Sequence, residues 1–183
     1  MAVVQCTHVE VYLFRRRRGR IEFLALRRSP LRRRLPGAWQ PVTGRIARNE
    51  QALHAAAREV SEETGLTPRC WWALESPTIW FDSVTNALEV LPLFAAEVDA
   101  RDRVTISAEH DAHRFLVARQ AARLFLWETQ RRALEAVGRQ VLVGGALAAA
   151  LEVTGPVRSR RAAAQRRRGV PRPRRVKRSV ERP

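Results

Sequence analysis

Lysine is nearly missing from this chain: 33 of its 34 basic side chains are arginine, and the single lysine is Lys177. Cysteine is almost as scarce. Cys6 and Cys70 stand 64 positions apart with no Cys-x-x-Cys or Cys/His ligand spacing, which argues against a disulfide framework or a structural zinc site and fits a reducing, cytoplasmic setting. No apolar run approaches the roughly 20 residues that a membrane-spanning helix needs. The longest, residues 141–153, contains Glu152. The first Lys or Arg is Arg15, the wrong order for a secretory signal, so neither a signal, a transit peptide nor a membrane anchor is expected.

What is present is enough for one domain and an appendage. The 183 residues are 45% hydrophobic, within the globular range, and carry a formal net charge of +16. The excess is localised. Residues 155–183 hold twelve basic side chains against Glu181 alone, residues 15–34 hold ten arginines against Glu22, and the rest of the chain is net negative. The Pro/Arg-rich end cannot bury enough apolar surface to offset its ordering entropy, so a disordered basic tail is expected at 155–183. It follows a domain at 1–140 and a short Ala-rich helix or linker at 141–154. The tail has no aromatic residue, and its expected partner chemistry is weak, non-specific, salt-dependent attraction to nucleic-acid phosphates or to an anionic membrane surface. A coding bias toward arginine explains the same composition without a partner.

Periodicity outlines an α/β domain. Residues 8–14 and 21–26 predict two strands of a hairpin with a cationic tip, residues 29–38 a loop broken by Pro30, Pro36 and Gly37, and residues 39–42 a brief strand. Leu53, Ala56, Ala57, Val60 and Thr64 then follow helical spacing, with Asn49 as the expected N-cap and Gly65 and Pro68 as the stop. Residues 70–81 and 87–98 suit strands around a turn at 82–86. Residues 116–137 return to helical spacing.

The helix beginning near Asn49 carries the chemistry. Glu59, Glu62 and Glu63 fall at offsets of 0, 3 and 4, so three carboxylates share one face. Each like-charge pair at that spacing costs a few tenths of a kcal/mol when exposed, at roughly the magnitude of a favourable pair, and more when partly buried. A hard divalent cation with oxygen ligands, Mg²⁺ before Ca²⁺ or Mn²⁺, compensates directly.

The residues from Gly44 through Glu50 to Arg58-Glu59-Val60-Ser61-Glu62-Glu63-Thr64-Gly65-Leu66 resemble the Nudix box, Gx5Ex7REUxEExGU with U aliphatic, at every specified position. The box spans 23 residues. Resemblance implies a Nudix α/β/α sandwich with a mixed sheet and hydrolysis of a nucleoside diphosphate linked to another group. It implies that Glu59, Glu62 and Glu63, with the Gly44 carbonyl as a further ligand, bind Mg²⁺, Mn²⁺ being a possible substitute. Arg58 would orient the neighbouring acid, Glu50 would hold loop and helix together, and Glu59 is one candidate general base. Water would attack a bridging phosphorus while the metal offsets charge on the phosphoryl oxygens.

Residues 24–29 (LALRRS), 38–44 (AWQPVTG) and 106–110 (ISAEH), followed by 118–133, are similar to the branch that cleaves dihydroneopterin triphosphate and dATP to monophosphate and pyrophosphate. In that branch Glu109 matches a metal or base glutamate. Arg27 and Arg28 are candidate phosphate clamps, because guanidinium forks suit phosphate oxygens. Strand alternation sends them to opposite faces, so at most one is expected in the site. Arg32–Arg34 are expected to be solvated loop charge. Trp39, with Trp80 and Phe81 behind it, is the candidate for stacking on a purine or pterin ring, against the commoner role of strand aromatics in a core. Two rival functions stand beside this one: an RNA 5′-end pyrophosphohydrolase, and a non-catalytic Nudix-fold module for nucleotides or nucleic acid.

Overall fold

Alternating burial along three strands builds the domain. The computed structural model describes residues 2–155; the expected tail lies outside them from residue 156 onward. In β2 (His8–Arg17), Val9, Val11 and Leu13 face one side and Tyr12 and Phe14 the other; β3 (Arg20–Arg28) divides Leu24 and Leu26 from Phe23 and Ala25. In β9 (Leu93–Glu97), Phe94 and Ala96 face one way and Leu93 and Ala95 the other. Two-sided strands of this kind need a layer on each face. α1 (Ala52–Thr64) supplies Ala55, Ala56 and Val60 to the first core. α2 (Ala118–Leu124) and α3 (Glu128–Val137) close the second with Ala121, Ala133, Leu134 and Val137. The result is the α/β/α sandwich.

Its central sheet is mixed. The path runs β10 (His110–Leu116), β3, β2, β9, β6 (Cys70–Ala73), with β4 (Trp39–Gln40) added to β3 and β5 (Val42–Arg45) to β2. β2 and β9 are parallel and the other pairs antiparallel. A small second sheet joins β1 (Val3–Gln5), β8 (Ala87–Leu91) and β7 (Thr78–Asp82).

Several boundaries depart from expectation. The stretch 70–81 divides between the two sheets as β6 and β7, with Ser76 and Pro77 before β7, and 87–98 divides at Pro92. Proline has no amide to continue a ladder. The helical spacing of 116–137 is two helices separated at 125–127, where Arg131 donates to the Phe125 carbonyl at 3.1 Å. β10 escapes a periodicity reading because His110, Asp111, His113 and Arg114 make it mostly polar. Asn49 does not cap α1. It takes a left-handed φ of 62° in the turn before the helix, which starts after Gln51 without a side-chain cap. The stop at Gly65, φ 67°, is as expected.

The last described segment packs onto this body. A π-helical turn (Gly138–Leu142) buries Val141, and α4 (Gly145–Leu151) buries Ala148. Thr154 Oγ1 then accepts the Trp71 amide at 3.0 Å, while the Val153 amide donates to the Trp71 carbonyl at 2.8 Å. On the α3 side, buried Glu10 accepts from the Tyr12 hydroxyl and from Gln130 Nε2, and burial pushes its carboxyl up to about 7. Replacing Thr154 by Val orphans the buried Trp71 amide and should cost about 1–3 kcal/mol. Denaturant midpoints would read the loss, and hydrogen exchange should show residues 145–154 released first.

Candidate functional site

Arg58 uses every donor of its guanidinium. Nε and Nη2 fork onto Glu50 at 3.0 and 2.9 Å, Nη2 also donates to the Arg45 carbonyl at 2.7 Å, and Nη1 donates to Glu59 at 2.7 Å and Glu62 at 3.0 Å. A planar five-donor group can do this without changing rotamer; an ammonium cannot. Glu50 also accepts the Ala47 amide at 2.9 Å, and Glu59 the Arg45 amide at 3.1 Å. The Arg45 peptide is therefore held at both ends by α1. The Arg58 hydrogen bonds hold the Glu50 carboxyl below its ordinary range and raise the guanidinium further. Glu50 thus occupies the loop-to-helix position expected of it.

Gly44 is required by contact. A Cβ there would lie 1.9 Å from Glu59 Cγ and 2.0 Å from its carboxyl carbon, so the glutamate passes directly over the bare backbone of β5.

Glu63 is the inward member of the three acids. It is only 6% exposed, and its Oε2 has no hydrogen-bond partner among the described residues. Burial, then the charges of Glu59 and Glu109, push its carboxyl up to about 9, against a hydrogen bond to the Thr43 backbone and the charge of Arg28. The three acids do not converge. Among the described residues no three His, Cys, Asp or Glu side chains form a ready cage, because Glu59 and Glu62 are both drawn onto Arg58 Nη1. An oxygen-only donor set, an orphaned buried oxygen and mutual repulsion nevertheless fit a hard divalent cation.

The flanking candidates separate by face. Arg28 lies on the α1 side and its charge reaches Glu63 and His110. Arg27 does not join the acids: it forks onto Asp111 at 2.7 and 3.0 Å on the opposite face. Trp39 pairs with it in register, packs against the α2/α3 core, and has the Arg27 and Arg114 guanidiniums 5.9 and 5.0 Å from its ring. Strand alternation makes this separation unavoidable. Trp80 and Phe81 sit exposed on the small sheet. Glu109, half exposed, pairs with Arg32 at 3.2 Å and lies close enough to act on Glu63.

The NUDIX domain model matches residues 6–137. This chain belongs to the Nudix family. Membership makes it a hydrolase acting on phosphoric anhydride bonds. No curated protein matches the chain. Among solved structures, a C. elegans Ap4A hydrolase binary complex is similar at TM-score 0.61 and 22% identity, over 75% of this chain and 96% of that one. The E. coli dihydroneopterin triphosphate pyrophosphohydrolase gives 0.58 and 24%, over 74% and 96%. The Nudix domain of Shewanella oneidensis NrtR, complexed with ADP ribose, gives 0.61 and 16%, over 76% and 88%. At these identities the likenesses establish the Nudix fold alone.

Sequence reasoning gives Asp111 no role and Arg32–Arg34 only that of solvated loop charge. The partnering of Asp111 with Arg27, and of Glu109 with Arg32, depends on β10 joining β3, and β10 was invisible to periodicity. The one available signal was the confinement of Arg32–Arg34 between Pro30 and Pro36.

Two outcomes follow from the geometry. Gly44→Ala should displace Glu59 and abolish turnover while the fold survives by circular dichroism. A raised carboxyl pKa favours the native state below the unfolded value near 4.5, and that contribution is lost as pH climbs toward about 9. Glu10 adds a similar loss that is complete by about 7. Metal-free protein should therefore lose thermal stability between pH 7 and 9, and Glu63→Gln should remove about 2–4 °C or more of that decline in melting experiments with chelator.

Proposed function

We propose that this Nudix hydrolase cleaves a nucleoside or pterin triphosphate to the monophosphate and pyrophosphate, with Mg²⁺ as the resident ion. The observation that carries the reading is the partnerless, buried Glu63 oxygen, on which the charges of Glu59, Glu109 and cationic Arg28 all bear. Support for the substrate comes from the similarity of residues 38–44 and 106–110 to the dihydroneopterin triphosphate and dATP branch.

Glu63, Glu59, Glu62 and the Gly44 carbonyl would hold the ion. Bound there, it acidifies a water and offsets negative charge on the phosphoryl oxygens. Arg58 holds Glu59 and Glu62 in place by hydrogen bonds from Nη1, so that they need no reorganisation when substrate arrives. Arg28 presents a guanidinium fork to the phosphate chain. Glu59 already accepts two hydrogen bonds on one oxygen, which is therefore engaged by Arg45 and Arg58 rather than open to a water. Glu109, with a single ion pair on a turn, takes the proton as water attacks a bridging phosphorus and pyrophosphate departs.

Purified full-length protein with Mg²⁺ should be offered dATP and other nucleoside triphosphates, dihydroneopterin triphosphate, dinucleoside polyphosphates, ADP-ribose and 5′-triphosphate RNA. Pyrophosphate release from a small triphosphate is expected, falling about 100-fold or more in Glu62→Gln with the fold intact. Turnover confined to RNA would replace the proposed substrate. Unchanged turnover in Glu62→Gln would reject the metal site.

A further inference from the structure

The loop at 29–37 keeps Arg32, Arg33 and Arg34 exposed, as expected, but holds them on a backbone with its own hydrogen bonds. Its neck is closed by the Arg28 amide on the Ala38 carbonyl at 2.9 Å and the Gly37 amide on the Arg28 carbonyl at 3.0 Å. Inside, the Arg32 amide donates to the Ser29 carbonyl at 3.0 Å, the Leu31 amide to Ser29 Oγ at 3.3 Å, and Arg28 Nε to the Arg34 carbonyl at 2.9 Å. Leu35 and Gly37 take left-handed φ values of 51° and 74°. The Ser29 amide ties the loop to β10 through the Glu109 carbonyl at 2.8 Å. This is a shaped loop with its own hydrogen bonds.

It borders an open concavity of about 300 Å³ lined by Arg28, Leu31, Arg32, Arg33 and Arg34, at the lower end of small-ligand pocket sizes. Four arginines line it and no acid does. Only Arg32 has an ion-pair partner among the described residues, Glu109. Crowding cations in one concavity is as unfavourable as crowding the carboxylates of α1, and its compensation is an anion of several charges. The cavity adjoins the acid site, since Arg28 and Glu109 both act on Glu63. Beside the loop, His110, paired in register with Arg28, is 5% exposed, and neither ring nitrogen has a partner among the described residues.

We infer that this loop, with Arg28 at its neck, is a polyphosphate subsite that holds the phosphates beyond the cleaved linkage and makes the enzyme select substrates with three or more phosphates over diphosphate-linked ones. The inference deepens the triphosphate reading and rests on it for the position of the cleaved bond, while anion binding by the loop stands independently of turnover. The subsite acts on binding. Arg33 and Arg34 therefore set KM for long phosphate chains and leave kcat to the carboxylates.

The test compares full-length Arg33→Ala/Arg34→Ala with Arg17→Ala/Arg20→Ala. The second pair lies at the hairpin tip, paired in register at the far end of β3 from Arg28, roughly 26 Å away. It removes the same charge and leaves the basic tail in place. In chelator, calorimetry with inorganic tripolyphosphate should show binding weakened about tenfold or more in the loop variant and little changed in the hairpin variant. Equal weakening in the two would overturn the subsite. With Mg²⁺, the loop variant should raise KM for dATP but not for ADP-ribose. Equal effects on both substrates would also overturn it. If no substrate turns over, the hydrolysis reading fails, and the tripolyphosphate comparison still decides the subsite.

Discussion

The Arg58 guanidinium joins three pieces of chain that the hydrophobic layers alone would leave loosely related. Glu50 from the turn, the Arg45 carbonyl from β5, and Glu59 with Glu62 from α1 all meet its five donors. A net-favourable array of this kind is a matter of geometry more than of charge, because exposed ion pairs contribute little singly. Its value here is positional: it fixes two carboxylates in place while the third, Glu63, is buried without a full complement of partners. The helix face is thus prepared for a cation in two stages, with two acids satisfied and fixed and one left in deficit.

The same electrostatic logic recurs with the opposite sign at the neighbouring loop. Arginines 28 and 32–34 line a concavity, and Glu109 pairs with Arg32 while its charge also bears on Glu63. A phosphate chain on a divalent ion would, in the proposed reading, complement that arrangement, with carboxylate oxygens at one end and guanidinium forks at the other. The fold supplies the adjacency. β3 ends at Arg28, β10 begins at His110 directly across from it, and β5 delivers Gly44 beneath Glu59.

The chain's periodicities showed the two-sided strands, the long helix and its glycine stop, because each rests on local patterning that burial then enforces. The box residues were legible for the same reason: spacing on one helix fixes the shared face of Glu59, Glu62 and Glu63. What could not be read depends on pairing between distant segments. Polar β10 offers no period of its own and exists as a strand through its register with Leu24 to Arg28. Asn49 has good capping chemistry, but the turn that brings Glu50 to the Ala47 amide demands its left-handed φ. Trp39 and Arg27 looked like site residues because they are close in sequence to the box, whereas alternation places both on the other side of the sheet. Arg32–Arg34 are solvent-exposed, as the sequence suggests, but the hydrogen-bonded neck that gathers them on one loop depends on contacts no local pattern shows.

The account depends most on Glu63 being an incomplete carboxylate that a divalent ion completes. Calorimetric titration of full-length protein with Mn²⁺, wild type beside Glu63→Gln, measures this without requiring any substrate. Uptake by the wild type with affinity about tenfold or more weaker in the variant is the predicted result. Equal affinity in the two proteins, or no uptake by the wild type, would contradict it.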